Sequence, residues 1–141
     1  MDGFFKQALR IDVGQRSSQV ETLEDAYLRA TMGGKGLGTQ LLLDNNPPGV
    51  DPFSPESCLI VALGPATDSP IHGSCRHGIY AKSPLTGLYT ESYAGGSAAI
   101  AMSRAGYDAY IFHGAADHPL WVEITDQGVS GRRKLRPLCS G

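Results

Sequence analysis

The chain has 141 residues, 41% hydrophobic and 18% charged, with a formal net charge of -2. That length supports one domain with one core, burying about two-thirds of the surface its unfolded form exposes. The mildly acidic balance argues against a nucleic-acid or membrane-surface partner. The apolar runs, about five residues at most, are far below the roughly 20 needed to span a bilayer. The N-terminus, MDGFFKQALR, carries no basic-then-apolar signal segment, so cytoplasmic residence is expected. Eighteen glycines and nine prolines without a repeat favour a loop-rich, tightly turned fold over a helical bundle. Three cysteines, Cys58, Cys75 and Cys139, are odd in number and far apart, which suits neither a disulfide framework nor a CxxC metal site.

In chain order, Phe5 to Val13 alternates as a strand, Gly14 to Ser17 is a turn, and Ser18 to Leu23 returns as a second strand. Thr22-Leu23-Glu24-Asp25 has the form of a capping box opening a short helix through Met32, with Gly33-Gly34 as its left-handed stop. A second helix is expected from Gly36, with Leu37, Leu41 and Leu42 on one face, ended by Pro47-Pro48-Gly49. Leu59 to Leu63 is a short all-apolar run, read as a buried strand. Ile79–Lys82 and Leu88–Tyr93 form a hairpin around Ser83-Pro84-Leu85-Thr86-Gly87. A small-residue helix follows over Gly96–Ala105, capped by Gly106, then a buried strand over Ala109–Phe112 and another over Leu120–Thr125. Residues 1–130 are thus assigned to one domain. Residues 131–141 are basic, turn-rich and without apolar period; they are expected to be a disordered tail, and the abrupt change near Ser130 also fits a chain cut or misread there.

Several clusters invite chemistry. Gly33-Gly34-Lys35-Gly36-Leu37-Gly38 lacks P-loop spacing and follows a helix, where a dinucleotide fingerprint follows a strand. A helix–helix corner needing glycine backbone angles is the favoured reading, with Lys35 a cation carried on it. His72, Cys75 and His77 lie on one extended segment, where alternation keeps His72 off the side shared by Cys75 and His77, and no fourth zinc ligand is in sight. Ser97 lacks the strand–nucleophile–helix setting of a hydrolase. The strongest pair is Arg76 and Gly95-Gly96. A guanidinium fork and a side-chain-free helix start are both anion-binding devices, and a hairpin would bring them to one edge. The residues alone leave this open against a surface ion pair and a merely tight helix packing.

GGKGLGTQLLL, PPGVDPFSPESCLIVALGPATDSP, RHGIYAKSPLTG, AGG and RAGYDAYIFHGAADHPLWVEI, in this order, resemble the N-terminal domain of the aldehyde ferredoxin oxidoreductases. The resemblance runs from about Gly3 to Thr125. It implies an α+β fold, antiparallel sheets with a few short helices, forming the base on which two pterins sit. It implies a tungsten or molybdenum enzyme oxidising aldehydes to carboxylic acids, with magnesium bridging the pterin phosphates and electrons leaving through a [4Fe–4S] cluster to ferredoxin. By position, Arg76 looks like the family arginine on the cofactor phosphate side, and Tyr93, Ala94, Gly95 and Gly96 match the backbone near pterin and magnesium.

Three departures from that pattern stand out. Tyr93 and Ala94 replace a common Asn and Ser. Lys35 replaces the commoner Arg, keeping the charge and losing the fork. The cluster cysteines belong to later domains, so no catalytic residue and no metal ligand is assigned here, and the chain is expected to end before its domain is complete. The expected role is the cofactor-cradling part of such an enzyme, inactive alone. The alternatives are a stand-alone binding or assembly module, which an exposed sheet edge would incline to homo-oligomers, and a generic phosphate-ligand binder.

Overall fold

The computed structural model describes residues 2–126 and 128–133. Its elements run β1 (Gln7–Asp12), β2 (Ser17–Thr22), α1 (Asp25–Thr31), α2 (Gly34–Asn45), β3 (Leu59–Leu63), β4 (Arg76–Lys82), β5 (Tyr89–Gly95), α3 (Ser97–Arg104), β6 (Ala109–His113), β7 (Leu120–Thr125) and β8 (Gly128–Arg133). Six strands make one sheet in the order β2-β1-β6-β3-β4-β5, and β7 and β8 form a separate hairpin. The class is α+β as expected, with one correction. The large sheet is mixed, because β1 and β6 pair in parallel, Ala8 opposite Ala109 and Asp12 opposite His113. The remaining pairings are antiparallel.

The sheet buries both faces. On one, Ala8, Ile60, Ala62, Tyr80, Ala109 and Ile111 pack beneath α1 and α2 through Leu28, Leu37, Leu41 and Leu42. On the other, Leu9, Ile11, Val61, Tyr107 and Tyr110 meet Met102 of α3 and Val122, Ile124 and Val129 of the β7–β8 hairpin. This explains why β3 and β6 read as unbroken apolar runs: a strand covered on both sides has no solvent face to alternate towards. The edge strand β2, by contrast, is almost wholly exposed and polar.

Three local expectations are revised. The capping box at Thr22 does not form. Thr22 stays in β2 opposite Gln7, and α1 begins after Glu24, which makes no side-chain cap. The left-handed C-cap of α1 is Met32 (φ 58°), while Gly33 (φ 74°) serves as N-cap of α2, so that helix starts two residues earlier than expected. Finally, β8 takes in residues 131–133, the first three of the expected tail; residues 134–141 lie outside those described. The stop of α3 at Gly106 (φ 88°) is as expected. No described helix is long and apolar enough to cross a membrane.

A buried carboxylate ties the chain start to the sheet. Asp108 (4% exposed) accepts hydrogen bonds from the main-chain N–H groups of Phe5, Lys6 and Gln7 at 3.1, 2.7 and 3.2 Å. Its own backbone N–H donates to the Gln7 carbonyl at 2.8 Å. Burial nevertheless pushes the Asp108 carboxyl above the usual carboxylate range, against the lowering effect of those three donors.

Candidate functional site

The hairpin of β4 and β5 is longer than its apolar runs suggest, and its extra residues matter most. Arg76 stands opposite Gly95, His77 opposite Ala94, and Gly78 opposite Tyr93. The turn closes with Ser83 N–H donating to the Leu88 carbonyl at 2.7 Å. Arg76 is therefore one residue in register from Gly96, the N-cap of α3, so the arginine and the helix start do meet at one sheet edge. Gly96 has φ 96°, a backbone angle that a side chain would strain, and no side chain caps the first turn of α3. Nothing lies within 4 Å of where its Cβ would be. Among the described residues, the exposed Arg76 guanidinium has no carboxylate partner, unlike Arg10, Arg16 and Arg104, which pair with Glu21, Asp117 and Asp68. The surface ion pair weighed against Arg76 is thus not formed among these residues.

Pleating sorts the rest. Arg76, Gly78 and Tyr80 alternate onto the α2 face, and their cross-strand partners Gly95, Tyr93 and Glu91 share it. His77 and Ala94 fall on the opposite face, so Ala94 can offer this edge only its main chain. Between the start of α2, the Pro65 loop and β4–β5 lies a concavity of about 200 Å³, lined by Lys35, Thr67, Arg76, Tyr80 and Tyr93 among others. Lys35 Nζ donates to Glu91 Oε1 at 2.8 Å, and the Tyr89 hydroxyl donates to Glu91 Oε2 at 2.7 Å. The hydrogen bond to Glu91 raises the Lys35 ammonium pKa, and the same bond lowers that of Glu91.

The glycine-rich segment before this concavity behaves as the helix corner it was read to be. A Cβ on Gly36 would stand 2.0 Å from the Thr31 carbonyl oxygen, so α2 can abut the end of α1 only with glycine there. A Cβ on Gly33 would meet Pro65 at 2.9 Å. What the sequence reading missed is Tyr80. Its ring is fully buried, pressed against Gly38 and Gly78, and its hydroxyl has no hydrogen-bond partner among the described residues. The signal was present: glycines inside a strand and a helix mark close approach by a neighbour. Among the described residues, His77 Nδ1 is the other buried side-chain atom without a partner, on the far face. Among the described residues no group of three His, Cys, Asp or Glu side chains is placed to hold a metal, and Cys58 and Cys75 are free thiols.

The family described as "Aldehyde ferredoxin oxidoreductase, N-terminal domain" matches residues 8–134. The tungsten-containing aldehyde ferredoxin oxidoreductase of Pyrococcus horikoshii is 36% identical over 132 residues, covering 94% of this chain and 22% of the relative. The WOR-like subunit of the aliphatic sulfonate oxidoreductase of Pyrococcus furiosus is 31% identical over 121 residues, covering 84% and 19%. Among solved structures, the active-site complex BamBC of benzoyl coenzyme A reductase, in complex with 1,5-dienoyl-CoA, superimposes with a TM-score of 0.89 at 31% identity, covering 93% of this chain and 20% of that one. The chain spans about a fifth of the length of these relatives. On the profile match over nearly its whole length, the chain belongs to the aldehyde ferredoxin oxidoreductase N-terminal domain family.

Proposed function

We propose that this chain is the cofactor-cradling N-terminal part of a tungsten or molybdenum bis-pterin oxidoreductase that oxidises aldehydes and passes electrons to ferredoxin in the cytoplasm. The observation that carries the reading is the register of Arg76 against Gly95, which sets a guanidinium without a carboxylate partner among the described residues beside the start of α3, whose N-cap Gly96 has no side chain. Both devices favour an anion, and together they suit a phosphate that presents several oxygens.

The residues present fit such a group. Arg76 would take the phosphate side, and Gly95 and Gly96 would let it approach the main chain without a Cβ in the way. Tyr93 would contribute its backbone carbonyl towards magnesium, since its ring is committed to an edge-on contact with Tyr80, 6.2 Å between centroids at 86°. Ala94 would likewise act through its main chain. When bound, the metal dithiolene supplies the redox chemistry, and the protein's share is to hold and orient it. The cluster would be held elsewhere, because no described residues are grouped to ligate it.

Substrate choice would also lie outside this chain. The same domain stands in proteins named for aldehydes, for an aliphatic sulfonate and for benzoyl-CoA. A stand-alone assembly module is the second reading, favoured by the exposed edge strand β5.

Metal and pterin analysis of the protein from its native host, together with viologen reduction by the purified chain and an aldehyde, tests the proposal. Pterin bound to the protein and no turnover by the isolated chain support it. Appreciable turnover by the chain alone, or absence of pterin with a stable dimer, would overturn it.

A further inference from the structure

The floor of the same concavity holds a group for which the reading of Arg76 gives no role. Tyr80 is 0% exposed, and its hydroxyl is buried without a hydrogen-bond partner among the described residues. Two glycines make that placement possible. A Cβ on Gly38 would be 2.2 Å from the ring, and a Cβ on Gly78 would be 2.0 Å from the hydroxyl oxygen. The ring therefore lies back along β4 over Gly78, towards the Arg76 end of the strand. Tyr93 crosses it edge-on; burial first, and then interaction with the Tyr93 hydroxyl, raises the pKa of the Tyr80 phenol, although the two hydroxyls do not meet hydrogen-bond geometry. Burying a phenol with no partner is costly, and native structures almost always provide one. Tyr80 is among the residues lining a concavity whose walls carry two cations, Lys35 and Arg76, with Lys35 already engaged by Glu91, and its hydroxyl is buried beneath that surface.

We propose that the Tyr80 hydroxyl is a ligand-contacting donor, giving its hydrogen bond to a phosphate or pyrophosphate oxygen bound between Arg76 and Lys35. The inference rests on the reading of Arg76 as a phosphate contact and adds to it the group that reads the anion from below. A phenol O–H has a geometric task the cations do not. It is fixed by the glycine cradle, so it donates along one direction, whereas lysine and arginine can follow a mobile anion. The two glycines and the tyrosine then form one unit, since the ring and its hydroxyl can lie where they do only because neither neighbour has a side chain.

Binding of inorganic pyrophosphate to the chain by calorimetry, with thermal unfolding of the ligand-free protein, tests this on wild type, Tyr80→Phe and Arg76→Ala. A hydrogen bond to a charged acceptor should be worth roughly tenfold to a hundredfold in affinity, lost in Tyr80→Phe. Ligand-free Tyr80→Phe should melt at the same temperature as wild type or higher, because an unsatisfied hydroxyl has been removed. Equal affinity of wild type and Tyr80→Phe, with Arg76→Ala weakened, would overturn the role of Tyr80 and leave that of Arg76 standing. A lowered melting temperature of ligand-free Tyr80→Phe would show an internal partner for the hydroxyl and would likewise overturn it. No binding by wild type would overturn both readings.

Discussion

Replacing Gly38 with alanine sets two opposing effects against each other. Gly38 lies inside α2, where alanine is favoured by about 1 kcal/mol on helix propensity alone. Its new methyl, however, would stand 2.2 Å from two carbons of the buried Tyr80 ring. Carbon atoms rest at about 3.5–4.0 Å, so the ring or the helix would have to retreat by roughly 1.5 Å. The ring cannot easily move, being fully buried with Gly78 beneath it and Tyr93 across it. Overpacking of this kind costs about 1–3 kcal/mol and occasionally more. A net loss of up to about 2 kcal/mol is expected, a large share of the stability of a small domain. Urea unfolding of wild type, Gly38→Ala, Tyr80→Val and the double variant measures both terms as a double-mutant cycle. With the ring gone, Gly38→Ala should turn stabilising by up to about 1 kcal/mol, because the propensity gain is unopposed and the methyl fills space the ring has left. The reasoning fails if Gly38→Ala stabilises the wild-type background, or if the two substitutions are additive.

Asp108→Ala should cost about 2–4 kcal/mol in the same assay, since three main-chain donors lose a charged acceptor at a site water reaches only in part; a loss under about 1 kcal/mol would mean that water replaces the carboxylate. Glu21 is held below its ordinary value of 4.5, first by its hydrogen bond from Arg10, so the pair stabilises the fold above the unfolded value and that contribution is lost as pH falls through the lowered one. Wild type should therefore exceed Glu21→Gln by up to about 1 kcal/mol at neutral pH, with the gap closing in acid. A gap independent of pH would contradict the ion-pair account.

How much of this was legible beforehand follows the range of the interactions. Leu59 to Leu63, Ala109 to Phe112 and the stop at Gly106 were readable because apolar runs and glycine backbone angles act within a few residues. So was the approach of Arg76 to the start of α3, which needs only that a hairpin close. The capping box failed because Thr22 was claimed by its pairing with Gln7, a contact between strands that outranked a local motif. The start of the expected tail differs for a related reason. The run starting at Gly131 has no apolar period, yet β8 extends to Arg133 by main-chain pairing with β7, which asks little of side chains.

Composition, turn chemistry and motif order determined the class, the family and the sheet edge at which Arg76 meets the start of α3, since each is written in neighbouring residues. Only the tertiary structure decided the parallel union of β1 with β6, which joins strands about a hundred residues apart and makes the sheet mixed. It also decided the bed of Tyr80. Gly38 and Gly78 belong to different elements, and no local rule says that two glycines forty residues apart will close on the same ring. Short-range preferences choose the elements; the meeting of their surfaces chooses which polar group is left buried.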